Sequence, residues 1–232
     1  MEYVALGIIW YVIFIISATF HEFSHGFAAA SLGDPTAYHY GLVTIDPVPH
    51  IKRSPFGMVG IPILSFLFSG WMIGWASAPY DPYWAQRNRK KAALMSLVGP
   101  GANLILVLAA VLIIRGGILF GFFHAPETII FTQVVAAASA GWANSAALVV
   151  SILFSLNLIL LVFNLIPLPP LDGSNVLLFF LSDRDAERYE SFLYQPMHRM
   201  IGLVVAWQLF GPVFSPIHTL ALNILYPGAG YH

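Results

Sequence analysis

Three residues in one apolar stretch have the types and spacing for metal chemistry: His21, Glu22 and His25, within Thr19-Phe20-His21-Glu22-Phe23-Ser24-His25. In a helix, residues four apart stack on one face. His21 and His25 can therefore present two imidazole nitrogens to one divalent cation, with Glu22 beside that cation and not bound to it. A zinc hydrolase binds its metal this way and keeps a general base next to the metal's water. Such a site takes three protein ligands and keeps a fourth position open. The best candidate for the third ligand is Asp172, an acidic residue just after Pro167-Leu168-Pro169-Pro170-Leu171. Two neutral imidazoles and one carboxylate leave the site net positive, which brings the pKa of water there to roughly 7. Glu22 is then expected to take the proton and return it to a leaving amine. The chain has no cysteine, so any metal must be held by His and carboxylate.

Three amides lie in apolar runs: Asn103, Asn157 and Asn164. Each is a candidate donor to a substrate backbone or to a developing oxyanion. The alternative is that they bond neighbouring helices, as polar residues in membranes do. The remaining histidines, His39, His50, His124, His198, His218 and His232, have no ligand spacing and are expected in loops or interfaces.

The elements that must position these groups are those of a membrane protein. The 232 residues are 58% hydrophobic and 9% charged, against about 25% charged in a soluble domain. Mean hydropathy is +0.77, and several apolar runs approach the roughly 20 residues that a spanning helix needs. Ionisable residues inside such a run are costly and point to function. Net charge is −1 with no basic stripe, which argues against a nucleic-acid partner. The opening Met1-Glu2-Tyr3 has no positive region, so the first apolar segment reads as retained rather than cleaved. The whole chain, 1–232, is expected to be one integral-membrane domain.

In order, Tyr3 to Ser31 is the first helix, stopped by Gly33 and Pro35. Residues 37–45 are β-prone and end at Asp46-Pro47-Val48-Pro49; a short strand or hairpin at the membrane surface is expected, with an edge open to strand addition by a peptide. Residues 56–79 are apolar, rich in Gly and Pro, and flanked on both sides by basic residues: Lys52 and Arg53, then Arg87, Arg89, Lys90 and Lys91. One crossing would put the two groups on opposite faces, against the positive-inside rule, so a re-entrant or tightly bent segment is expected, the alternative being one ordinary crossing that obeys the rule weakly. Ala92 to Ile114 is a spanning helix ended by Arg115. Residues 118–141 are mixed, with a surface helix after Pro126-Glu127. Ala143 to Ile166 spans again and is broken by the prolines before Asp172. Residues 183–190 are a charged cytoplasmic loop, and 200–225 are one kinked span or a short hairpin.

Three motifs in this order resemble the site-2 protease family of intramembrane zinc metalloproteases. They are His21-Glu22-Phe23-Ser24-His25, Gly99-Pro100-Gly101-Ala102-Asn103, and Asn164-Leu165-Ile166-Pro167-Leu168-Pro169-Pro170-Leu171-Asp172-Gly173. The stretch between the first two is similar to the compact prokaryotic branch without a PDZ domain. It departs in having Asp46 before Pro47, and Lys52-Arg53 where an acidic residue is expected. The resemblance implies an all-α polytopic membrane fold with a three-helix catalytic core. To this it adds the surface hairpin, the bent segment and C-terminal helix or helices expected from the chain itself. It implies one zinc ion per chain on His21, His25 and Asp172, with Glu22 catalytic, near the cytoplasmic face of the cell membrane. It also implies peptide-bond hydrolysis within or near the transmembrane segments of membrane-protein substrates, as in regulated intramembrane proteolysis. The competing expectation is a transporter or sensor that binds metal through the same ligands without hydrolysis. Oligomeric state is not legible.

Overall fold

The computed structural model describes residues 2–193 and 195–231; His232 lies outside them. Among the described residues, four helices are long and apolar enough to cross a membrane. Helix α1 is Glu2–Leu32, followed by two short helices, α2 (Thr36–His39) and α3 (Pro47–Arg53). A π-helical turn, Phe56–Gly60, runs into α4 (Ile61–Ser69). Then come α5 (Pro82–Arg87), α6 (Arg89–Leu119), strands β1 (Phe123–His124) and β2 (Ala136–Ala137), α7 (Trp142–Leu165), α8 (Asp172–Val176), α9 (Asp183–Leu193) and α10 (Pro196–Leu225).

Helices α1, α6 and α7 form the core, each antiparallel to the next. The pairings Ser17–Asn157, His21–Asn103 and His25–Met95 fix this order. Trp10, Phe14, Ile152 and Leu156 fill the layer between α1, α7 and α4. Ile114, Phe154 and Phe214 fill the layer between α6, α7 and α10. The outward faces carry Ile8, Val12, Ile105, Leu108 and Leu112, all exposed, as lipid contact requires. Helix α10 is one continuous helix despite Pro212 and Pro216.

The bent segment forms as the charge pattern requires. The axis turns by 111° between α3 and the helix over 56–69. Gly70, at φ 76°, reverses the chain, and residues 71–81 return extended along the same helix. The Trp75 amide donates to the Gly57 carbonyl at 3.1 Å, and the Ile73 amide to Ser65 Oγ at 2.9 Å. Arg53 Nε reaches the Ser77 carbonyl at 3.0 Å, so the two ends of the segment meet. A Cβ on Gly57 would lie 2.1 Å from the Trp75 carbonyl oxygen, which is why glycine stands there.

Nine of the ten Lys and Arg gather at the end of the bundle where α1 stops and α6 starts. The exception, Arg115, is at the other end and donates to the Leu225 carbonyl at 3.1 Å. At the basic end Lys91 Nζ caps the last carbonyl of α1, that of Leu32, at 3.1 Å, and Arg89 pairs with Glu190 at 3.3 Å, tying α9 to α6.

Four expectations are corrected. Residues 37–45 form no strand. The buried Asp34 carboxylate binds the Thr36 amide and hydroxyl and the Asp81 amide, which winds the chain into α2 and a turn, and no strand edge is offered there. The short β-hairpin lies instead at 123–137, where Phe123 faces Ala137 and His124 faces Ala136. This also removes the surface helix expected after Pro126-Glu127. The Val134 and Val135 amides are satisfied by Ser151 Oγ at 3.0 and 3.2 Å rather than by a helix. Arg115 does not end α6, and residues 183–190 are helical rather than a loop.

Candidate metal centre

Helix α1 carries His21 and His25 on one face, as their spacing requires. Asp172 comes from 147 residues beyond His25, on the irregular turn after α7. There Ile166 leaves the helix in extended conformation. The Leu168 and Leu171 amides close tight turns on the Ile166 and Leu168 carbonyls, and α8 opens on Asp172 itself. Gly173 allows this: a Cβ there would be 2.4 Å from the Leu165 carbonyl oxygen. Three prolines within four residues break the helix, and the broken end delivers the carboxylate into the bundle.

The result is a tight triangle. His21 Nε2 and His25 Nε2 are 3.0 Å apart, and Asp172 Oδ2 lies 3.1 and 3.2 Å from them. Helix geometry at about 1.5 Å per residue puts His25 roughly 10 Å below the end of α1. Both imidazoles are buried, at 7% and 8% exposure.

The proton positions are set by groups that can play only one part. The Met95 carbonyl, 2.8 Å from His25 Nδ1, is an acceptor only, so Nδ1 donates and in the neutral imidazole, the form that binds metal, Nε2 carries a lone pair. For His21 the logic runs through two amides. Asn157 Nδ2 donates to the Leu153 carbonyl and to Ser17 Oγ, both at 2.9 Å. Its Oδ1 therefore accepts from Asn103 Nδ2 at 2.9 Å, which leaves Asn103 Oδ1 facing His21 Nδ1 at 2.7 Å. His21 Nδ1 must donate, and its Nε2 is bare as well. Two lone pairs and a carboxylate thus converge with no protein donor among them. Metal-binding histidines are commonly held this way, with the far nitrogen donating to a carbonyl or amide.

A zinc ion fits this arrangement. With bonds of about 2.0–2.1 Å, tetrahedral ligands are separated by roughly 3.3–3.4 Å, close to the observed edges. The space is present as well. Helix α6 passes against the imidazoles at Gly99, where a Cβ would lie 2.2 Å from His25 Nε2 and 2.7 Å from His21 Nε2. The missing side chain leaves the ligand nitrogens unobstructed on the α6 side. Among the described residues, these three are the only His, Cys, Asp or Glu group gathered closely enough to hold an ion.

Glu22 is buried, at 7% exposure, and no hydrogen bond holds its carboxylate among the described residues. The asparagines are placed differently from one another. Asn103 and Asn157 are fully buried and spend their amides on each other, on His21 and on α7, so neither is available to a substrate or oxyanion. Asn164 is half-buried and bonds only the carbonyl of Leu160, in its own helix, at 3.0 Å. His50 is buried and Nε2 bonds the Thr44 carbonyl at 3.0 Å; it takes no part in the triangle. Replacing Asn103 with Ala is expected to weaken zinc binding about 10- to 100-fold, as loss of a supporting hydrogen bond does. Titration with a competing chelator measures this; unchanged affinity would show that the Asn157–Asn103–His21 chain does not orient the ligand.

The Peptidase family M50 model matches residues 9–209, from before the first histidine to beyond Asp172. The chain belongs to peptidase family M50. This is the site-2 protease family that the three motifs resemble. Among curated relatives, YwhC of Bacillus subtilis, named as a candidate zinc metalloprotease, is 35% identical over 70% of this chain and 64% of its own. Rip2 of Mycolicibacterium smegmatis, similarly named, is 28% identical over 76% of this chain and 59% of its own. Rip2 of Mycobacterium tuberculosis is 32% identical over 68% and 52%. The chain thus spans between half and two thirds of the length of these M50 relatives. No solved structure matches it.

Proposed function

We propose that this chain is an intramembrane zinc endopeptidase that hydrolyses peptide bonds within or near the transmembrane segments of membrane proteins, the chemistry of regulated intramembrane proteolysis. The observation that carries this reading is the convergence of His21 Nε2, His25 Nε2 and Asp172 Oδ2 within 3.0–3.2 Å, with both Nδ1 atoms committed as donors. His21, His25 and Asp172 hold the metal. When bound, zinc supplies Lewis-acid polarisation of the scissile carbonyl and acidifies the attacking water.

The protein's own residues do the rest. Glu22, adjacent to His21 and unpaired, takes the proton from the attacking water and gives it to the leaving amine. A site that only bound metal would have no use for this carboxylate. Asn164, with amide capacity to spare beside the Asp172 turn, contacts the substrate backbone. The clustering of cations at the α1 terminus orients the bundle with that end, and the metal centre, toward the cytoplasm.

Purified protein in lipid nanodiscs is expected to cleave a single-span reporter, to lose that activity to a zinc chelator, and to regain it on adding zinc. Stoichiometric zinc without cleavage of any apolar-span reporter would instead favour a non-hydrolytic metal protein.

A further inference from the structure

An apolar groove of about 400 Å³ flanks the turn of α1 that precedes His21, lined by Ile15, Ile16, Thr19 and Phe20 of α1, Ile45 of the loop before α3, Pro47 at the start of α3, and Leu106 of α6. At its rim Ile16 and Ile45 are 53% and 70% exposed, so it opens sideways, toward lipid. Its lining has one side-chain polar group, the Thr19 hydroxyl. Thr19 is 2% exposed, and its Oγ1 has no hydrogen-bond partner. By contrast, three other hydroxyls of these helices bond the carbonyl four residues back: Ser24 to Phe20 at 2.7 Å, Ser31 to Phe27 at 2.8 Å and Ser69 to Ser65 at 2.7 Å. Ser155 shares the lack of a partner but lines no such groove. Thr19 also stands three residues before Glu22, on the same face of α1.

We infer that this groove seats an unwound, apolar stretch of a transmembrane substrate, and that Thr19 is the specificity-determining contact that reads its backbone. The inference rests on the endopeptidase reading and adds the residues that choose the substrate. An intact helix in lipid has all its backbone groups satisfied internally and gains nothing from a lone hydroxyl. An unwound stretch exposes N–H and C=O groups that cost several kcal/mol each in hydrocarbon. In a helix Thr divides between two χ1 wells, and backbone reading requires the one in which the hydroxyl meets a bound backbone, accepting from an amide or donating to a carbonyl. The apolar walls take the side chains, and the volume lies within the range of about 300–1,000 Å³ typical of ligand clefts. Because no strand edge exists at 37–45, backbone recognition by strand addition is not available there.

The test uses the full chain in nanodiscs and two leucine-alanine single-span reporters, one with a Pro-Gly pair beside the cleavage site and one without. Thr19→Val keeps the side chain's shape and removes its hydrogen bond. It is expected to raise KM for the Pro-Gly reporter about five- to tenfold, with kcat within about twofold and zinc content unchanged. Thr19→Ser is expected to restore the parent KM. A photo-crosslinking residue in place of Ile16, in a Glu22→Gln background, is expected to capture the reporter. The inference is overturned if Thr19→Val leaves KM unchanged, if Thr19→Ser is as impaired as Thr19→Val, or if cross-links from position 16 reach lipid only. Cross-linking reads occupancy without turnover. Failure of the parent to cleave would thus sink the endopeptidase reading, while the cross-links still decide the groove.

Discussion

Replacing Glu22 with Gln is expected to leave one zinc ion bound per chain and to slow cleavage of a membrane-embedded reporter by a factor on the order of 10²–10⁴, the usual contribution of general acid–base catalysis. The substitution keeps size and shape and removes only the capacity to accept a proton. Zinc should survive because Glu22 is outside the His21, His25 and Asp172 triangle. The fold should survive because no hydrogen bond depends on the carboxylate among the described residues. Gln has the same volume as Glu and displaces nothing in the packing, so thermal stability should hold. Elemental analysis of zinc and single-turnover cleavage rates, taken on the same preparation, check both halves. Cleavage at the parent rate would refute the role given to Glu22, and loss of zinc would mean that Glu22 helps to hold the ion.

The site was more legible in the sequence than the path of the chain around it. His21 and His25 are fixed relative to each other by the helix repeat alone, and Asp172 is marked by prolines that no helix tolerates. The bent segment was also legible, because two cationic groups flanking one apolar run leave few topologies open. What lay hidden was set by single side chains acting on distant backbone. The β-prone composition of 37–45 was overridden by Asp34, one carboxylate binding two separate loops. The turns of 118–141 depend on Ser151, from the middle of α7. Arg115 looked like a helix stop but snorkels to the end of α10. Asp46, a departure from the family pattern, accepts from the Val48 amide at 3.0 Å and caps α3, a task at which Asp and Asn are equivalent. The asparagines show the limit most sharply. Their types were informative, but which neighbour each would meet depended on how three helices are rotated. The Met95 carbonyl that fixes the His25 tautomer left no signal, since every residue has a carbonyl.

Replacing Gly99 with Ala is expected to abolish zinc binding while leaving a folded, membrane-inserted protein. A Cβ at this position would lie 2.2 Å from His25 Nε2, 2.5 Å from its Cε1 and 2.7 Å from His21 Nε2. These distances are impossible for a methyl group, so the imidazoles that converge with Asp172 would have to shift out of their places. The imidazoles cannot yield easily. Each is held from behind by a hydrogen bond, to Met95 and to Asn103, and His25 cannot back away without leaving its carbonyl unpaired. Helix α6 cannot yield easily either, because Pro100 is the next residue and Asn103 anchors the next turn. Alanine is the better helix former, by about 1 kcal/mol, so local propensity favours the substitution and only the site opposes it. The prediction thereby separates the metal centre from the fold. Zinc content should fall as far as in Asp172→Ala, where a ligand is lost outright, while circular dichroism shows the helices retained and detergent stability falls by no more than the roughly 1–3 kcal/mol of an overpacked site. A Gly99→Ala protein that binds zinc as tightly as the parent would show that the methyl is absorbed without moving the imidazoles, and that the site does not require glycine there.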